Sequence, residues 1–156
     1  MIVIGIDPGK SGAIAVWDEG IDKAIKCPDS PEKMANIFSS IMNNNKIVAY
    51  IEQVHAFPTD ARSSAFKFGK NYGEWLGVLG TLRIKTVHVT PQKWMKHYKE
   101  KFKMALPKDK QQRKRKLKEI AANYTDKKVT LYNADAILIA VYGFIIEQRR
   151  LNDNRK

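Results

Sequence analysis

Residues 4–18, IGIDPGKSGAIAVWD, set two short apolar runs against each other across the turn PGKS. Residues 1–7 read as one strand and residues 12–18 as a second, because the Pro and Gly between them favour a tight turn. The first strand stays apolar until it ends on Asp7. An acid at the end of a buried element is costly unless it is paired or bound to a cation. Taken alone, Asp7 also reads as an ordinary turn residue, so its meaning depends on what the rest of the chain brings beside it.

Downstream, residues 21–26 read as a third short strand. A helix is expected from Pro31, behind Ser30, with Met34, Ile37, Phe38 and Ile41 at helical spacing. IVAYIE, residues 47–52, is almost wholly apolar and suits a central strand covered on both faces. QVHAFPTDAR reads as a loop, followed by a long helix over residues 63–82. Within that helix Gly69, Gly73, Gly77 and Gly80 mark a face without side-chain bulk. Close packing is expected there, within the chain, with the same helix of a second copy as the alternative. Residues 85–89 form a further expected strand, and Thr90 and Pro91 open a short helix. Residues 96–107 read as a mobile basic loop. Residues 109–124 are helical in pattern with Leu117, Ile120 and Ala121 inward. Residues 134–147 are apolar on nearly every face, as a buried helix is, and the polar tail from Arg149 is expected to fray. Strands come first and helices later in a single domain, residues 1–156, an α/β chain.

Composition narrows the function. At 156 residues, 44% of them hydrophobic, the chain can bury one full core. No apolar run is long enough for a membrane helix, and the N-terminus lacks the basic start and cleavage site of a signal peptide. The lone Cys27 excludes an internal disulfide and a cysteine-rich metal site, and fits a reducing, cytoplasmic compartment. The net charge of +12 is concentrated: residues 93–118 hold twelve Lys and Arg against Glu100 and Asp109. Such clustering points to a polyanion, because each neutralised phosphate releases counterions. The competing reading is a solvated basic helix. No nucleotide cofactor is expected, since GKSG at residues 9–12 lacks the glycine-rich loop that cradles phosphates. His55, His88 and His97 lie in unrelated settings, so no nucleophilic triad is visible, and Trp75 and Trp94 read as core.

Three acids are placed by hydrophobic segments: Asp7, Glu52 at the end of IVAYIE, and Asp135 at the start of ADAILIAVY. Their convergence would make a site for a hard divalent cation, which prefers carboxylate oxygen. Each alone has a plain alternative, Glu52 as a strand-end salt bridge and Asp135 as an acid favoured by the helix dipole.

In order and spacing, IGIDPGKSGAIAV, IEQVHAF, TPQKW and NADAILIA resemble the RuvC family of Holliday-junction resolvases, from Ile4 to about Tyr142. Sugar kinases and Hsp70-type ATPases share the first motif, but need two such domains. The resemblance implies an RNase H-like mixed sheet with helices on both faces, and a homodimer acting on branched DNA in a bacterial or phage-infected cell or an organelle. It also implies two-metal phosphodiester hydrolysis with Mg²⁺, Mn²⁺ substituting, that leaves 5′-phosphate and 3′-hydroxyl ends. Asp7, Glu52 and Asp135 match the family's acidic positions. Lys110 of DKQQRK matches a lysine near the scissile phosphate, and Lys93 of TPQKW matches one more loosely. His55 and Phe57 follow Glu52 where the family carries an aromatic that stacks on unpaired bases at the branch. Arg62, Lys67 and Lys70, with Arg113, Lys114 and Arg115, are expected phosphate contacts. One departure stands out. The family's fourth ligand lies three residues before the acid of the DA motif, and Tyr132 is found there, with Asn133 and Asp126 as substitutes. A ribonuclease H, a flap nuclease or a non-catalytic binder of branched DNA are the competing readings.

Overall fold

The computed structural model describes residues 1–42, 45–53 and 61–154. Its strands are β1 (Ile2–Asp7), β2 (Ala13–Trp17), β3 (Ile21–Lys26), β4 (Ile47–Glu52) and β5 (Lys85–Val89). They form one mixed sheet in the order β3-β2-β1-β4-β5. β1, β2 and β3 run antiparallel as a meander, while β1, β4 and β5 run parallel. The helices are α1 (Pro31–Ser39), α2 (Arg62–Thr81), α3 (Pro91–Lys101), α4 (Lys110–Ala121) and α5 (Ala134–Asp153). This is the RNase H-like α/β architecture expected from the sequence.

The period-two alternation of strand side chains sorts the core onto two faces. Ile2, Ile4, Ile6, Ala49 and Ile51 pack with Met34 and Phe38 of α1 and with Trp75 and Leu79 of α2. Val3, Val48 and Tyr50 pack on the opposite face, with Trp94 and Tyr98 of α3, Leu117 and Ile120 of α4, and most of α5. Gly5 faces α5. A Cβ there would run into the Ala136 carbonyl oxygen and the Ala140 nitrogen, so the helix backbone lies directly on β1. At the other end of that contact, a Cβ on Gly143 would come within 2.6 Å of the Tyr50 ring. The first turn of α5 is thereby fixed over the end of β1.

Three expectations are corrected. Residues 96–101 are helical, because Trp94 and Tyr98, four residues apart, are both fully buried and the Tyr98 hydroxyl donates to the Leu138 carbonyl at 2.6 Å. The last helix does not fray at Arg149 but runs to Asp153. Arg150 there pairs with the buried Glu147, which also accepts from the Tyr50 hydroxyl at 2.9 Å. The glycine face of α2 does not pack within the chain: a Cβ at Gly69, Gly73, Gly77 or Gly80 would meet nothing within 4 Å. The inward face is Trp75, Val78 and Leu79, and the glycines lie on the solvent side. The helical stretch expected over residues 109–124 is present, as α4 capped by Asp109 and extended by a 3-10 turn over Ala122–Tyr124. Among the described residues, no helix is long and apolar enough to cross a membrane.

Candidate active site

Strand parity brings the first two acids together. Val3 and Gly5 face α5, and so does Asp7; Val48 and Tyr50 face α5, and so does Glu52. β1 and β4 are parallel neighbours with Ile6 opposite Ile51, so their terminal acids lie one step further on at the same edge. Asp135 sits in the first turn of α5, the turn that Gly5 admits over β1. All three are half-buried.

Their electrostatics record the convergence. Burial holds the Asp7 carboxyl well above the usual carboxylate range, and the charges of Glu52 and then Asp135 push it the same way. Glu52 is raised to about 7, first by burial and then by Asp135, against the Trp94 hydrogen bond and the Lys114 charge. Burial also raises Asp135, opposed by Lys114 and Arg113. Among the described residues, Lys114 is therefore the one cation acting on all three. Carboxylates so crowded favour either shared protons or a bound cation.

The supporting residues are specific. Trp94 donates its indole N–H to Glu52 Oε2 at 2.7 Å, so this tryptophan is both core and positioning residue. The buried Cys27 thiol donates to the Asp7 carbonyl at 3.2 Å. Asn71 of α2 accepts the Gly9 N–H on its Oδ1 at 2.8 Å, which fixes the turn after Asp7. Gly9 has a φ of 114°, a conformation open to glycine, and a Cβ there would press on Phe68 at 2.8 Å.

The three carboxylates suit a hard divalent cation, which prefers oxygen ligands. Among the described residues, no three acid, histidine or cysteine side chains lie close enough to form a metal cage by themselves. One oxygen of Glu52 is taken by Trp94. The fourth-ligand position offers no help. Tyr132 is 59% exposed. Asn133 is buried, but its Oδ1 already accepts from the Thr130 N–H at 2.7 Å and hydroxyl at 3.1 Å, and its Nδ2 donates to Lys128. The Asn133 substitution for the missing ligand is therefore corrected. Asp126 is exposed and does not figure among the charges acting on the three acids. Mg²⁺ is commonly held by one or two carboxylates together with substrate phosphate, and these residues fit that arrangement.

The other expected site residues scatter. Lys110 is exposed in the first turn of α4, one turn before Lys114 on the same face. Lys93, next to the Trp94 that bonds Glu52, lines a small pocket with Tyr50, Val87, Val89, Tyr142 and Arg150. Arg113 lies beside Asp135, while its guanidinium donates to the Pro107 and Lys108 carbonyls, and Arg115 is exposed. Arg62, Lys67 and Lys70 are exposed on α2. His55 and Phe57 lie outside the described residues.

No family model matches this sequence, and no curated protein matches it. Solved structures do share its fold. A Thermus thermophilus RuvC in complex with a Holliday-junction substrate superposes with a TM-score of 0.63 at 13% identity, covering 96% of both chains. A second Thermus thermophilus RuvC structure gives a TM-score of 0.56 at 14% identity, again over 96% of each chain.

Proposed function

We propose that this chain is a divalent-metal-dependent endonuclease that cuts branched DNA, four-way junctions above all, as a homodimer. The observation that carries the proposal is the placement of Asp7 and Glu52 at the ends of neighbouring parallel strands, on the face against which α5 sets Asp135 in its first turn. The shared fold with a RuvC solved on a Holliday-junction substrate supports the choice of DNA class.

In this reading Asp7, Glu52 and Asp135 hold the metal, Mg²⁺ or Mn²⁺. When bound, it would supply water activation and stabilisation of the leaving 3′ oxygen, giving 5′-phosphate and 3′-hydroxyl ends. Trp94 fixes the Glu52 carboxylate, and the Asn71 bond to Gly9 keeps the turn beyond Asp7 in place. Lys114 offsets negative charge on the phosphate, with Lys110 one turn further out and Lys93 as a phosphate contact. Arg62, Lys67, Lys70, Arg113 and Arg115 contact the backbone, and His55 and Phe57 meet unpaired bases at the branch. The open glycine face of α2 supplies the dimer contact. α5 is largely covered by the sheet and α4, so it has less surface to offer.

A non-catalytic reading draws on one observation, the absence of a closed ligand cage among the described residues. End-labelled four-way junction, flap, duplex and RNA–DNA hybrid, each incubated with the protein in Mg²⁺, separate the readings. Preferential cutting of the junction supports the proposal. Cutting of hybrid or flap keeps the site and changes the substrate, and tight junction binding without cutting in Mg²⁺ or Mn²⁺ leaves only a binder.

A further inference from the structure

On the edge formed by the β1–β2 turn, the end of β3 and the start of α5, two cavities share a wall. One, about 480 Å³, is lined among the described residues by Lys10, Ser11, Lys26 and Tyr132. The second, about 580 Å³, shares Lys10 and Lys26 and extends along α2 past Lys67, Lys70 and Asn71. Their linings include near neighbours in sequence of two of the acids. Lys10 is three residues past Asp7 and Tyr132 three before Asp135. Cys27, which holds the Asp7 carbonyl, lines the second cavity.

The charges in this channel are not balanced. Its two acids are already engaged, Asp29 with Lys33 at 2.7 Å and Glu74 with Lys70 at 3.7 Å. Lys10, Lys26 and Lys67 make no salt bridge among the described residues. Tyr132, at 59% exposure, presents a large aromatic ring to the same space. A planar ring beside free ammonium groups matches an unpaired nucleotide: the base stacks on the ring, and the flanking phosphates meet the lysines.

We propose that this channel binds single-stranded DNA, with Tyr132 as the stacking platform for one base and Lys10, Lys26 and Lys67 as phosphate contacts. The inference rests on the nuclease reading for its biological sense, but its chemistry is independent of cutting. Tyr132 then has a binding role of its own at the position where a metal ligand was expected. It would lead an unpaired strand from the branch away from the carboxylates.

The test is fluorescence anisotropy with a short labelled oligothymidylate and a labelled blunt duplex, in chelator so that no cleavage occurs. Tyr132→Ala is expected to weaken oligothymidylate binding about tenfold and leave duplex binding within about twofold. Tyr132→Phe keeps the ring and should bind as the wild type does. The double variant Lys10→Ala/Lys26→Ala should flatten the dependence of log Kobs on log salt by about 1.4, the single-strand increment for two phosphates. Tyr132→Ala binding oligothymidylate like the wild type, or losing duplex affinity equally, overturns the inference. The two readings fail separately: a protein that needs Tyr132 to bind the oligomer yet cuts nothing keeps the channel and loses the nuclease. One that cuts junctions with a Tyr132→Ala variant of unchanged oligomer affinity does the opposite.

Discussion

Glu52 shows at a single residue what this site costs the fold. Burial raises it to about 7, Asp135 pushes the same way, and the Trp94 hydrogen bond and Lys114 offset only part of that. Its folded pKa lies above the unfolded value, so the folded state holds the proton more tightly. Stability is then greatest below about pH 4.5 and is lost as pH rises through about 7. Glu52→Gln keeps an oxygen for Trp94 and removes the charge. In metal-free calorimetry near pH 8 the variant should melt a few degrees above wild type, about 1–2 kcal/mol after allowing for solvent screening. The gap should close towards pH 4.5, and a constant gap across pH would show that charge is not its cause. Lys114 is the second residue to test. Lys114→Ala should reduce single-turnover junction cutting on the order of a hundredfold, and Lys110→Ala by less, because Lys114 acts on all three acids and Lys110 on none of them. Equal losses in the two variants would place the phosphate further along α4.

At the level of elements, the contact of α5 on β1 sets the site. Gly5→Ala should cost about 3 kcal/mol or more in urea unfolding, since its methyl would strike the α5 backbone rather than a yielding side chain. A loss below about 1 kcal/mol would mean that α5 can shift outward without penalty. β1 and β4 were legible in the sequence because each is an apolar run that ends on an acid, which singled out Asp7 and Glu52, and Asp135 stood out by opening the apolar stretch of α5. Lys114 could not be told from its neighbours, being expected as one of three adjacent phosphate contacts: in RKRK, residues 113–116, every position is basic. Nor was the full length of α3 legible, since its lysines conceal the spacing of Trp94 and Tyr98. The α2 glycines gave a face but not its direction, which Trp75 and Leu79 decide by taking the inward side. That open face is testable as the proposed dimer contact. Gly73→Arg should sediment as a monomer at concentrations where the wild type is dimeric, with melting of the monomer fold retained. A dimer unaffected by the change would move the contact elsewhere.

Over the whole molecule, charge and fold divide the labour. The surplus of basic residues lies in one segment, residues 93–118, which forms α3 and α4 on the α5 face of the sheet, the face towards which Asp7 and Glu52 project. In the proposed reading, nucleic acid drawn to that face would meet the acids at the edge where β1 and β4 end. Direct repulsion between phosphate and three crowded carboxylates is then the obstacle that a divalent cation and Lys114 would remove. Cutting should therefore require metal and all three acids together, while attraction to DNA should not. The most direct measurement is cleavage of an end-labelled four-way junction in Mg²⁺ by wild type beside Asp7→Asn, with the products mapped and offered to a ligase. Metal-dependent cutting at the three acids predicts paired, ligatable nicks near the branch from the wild type and none from Asp7→Asn, which still binds the junction. Equal cutting by the two proteins, or binding by both without any cutting, would contradict it.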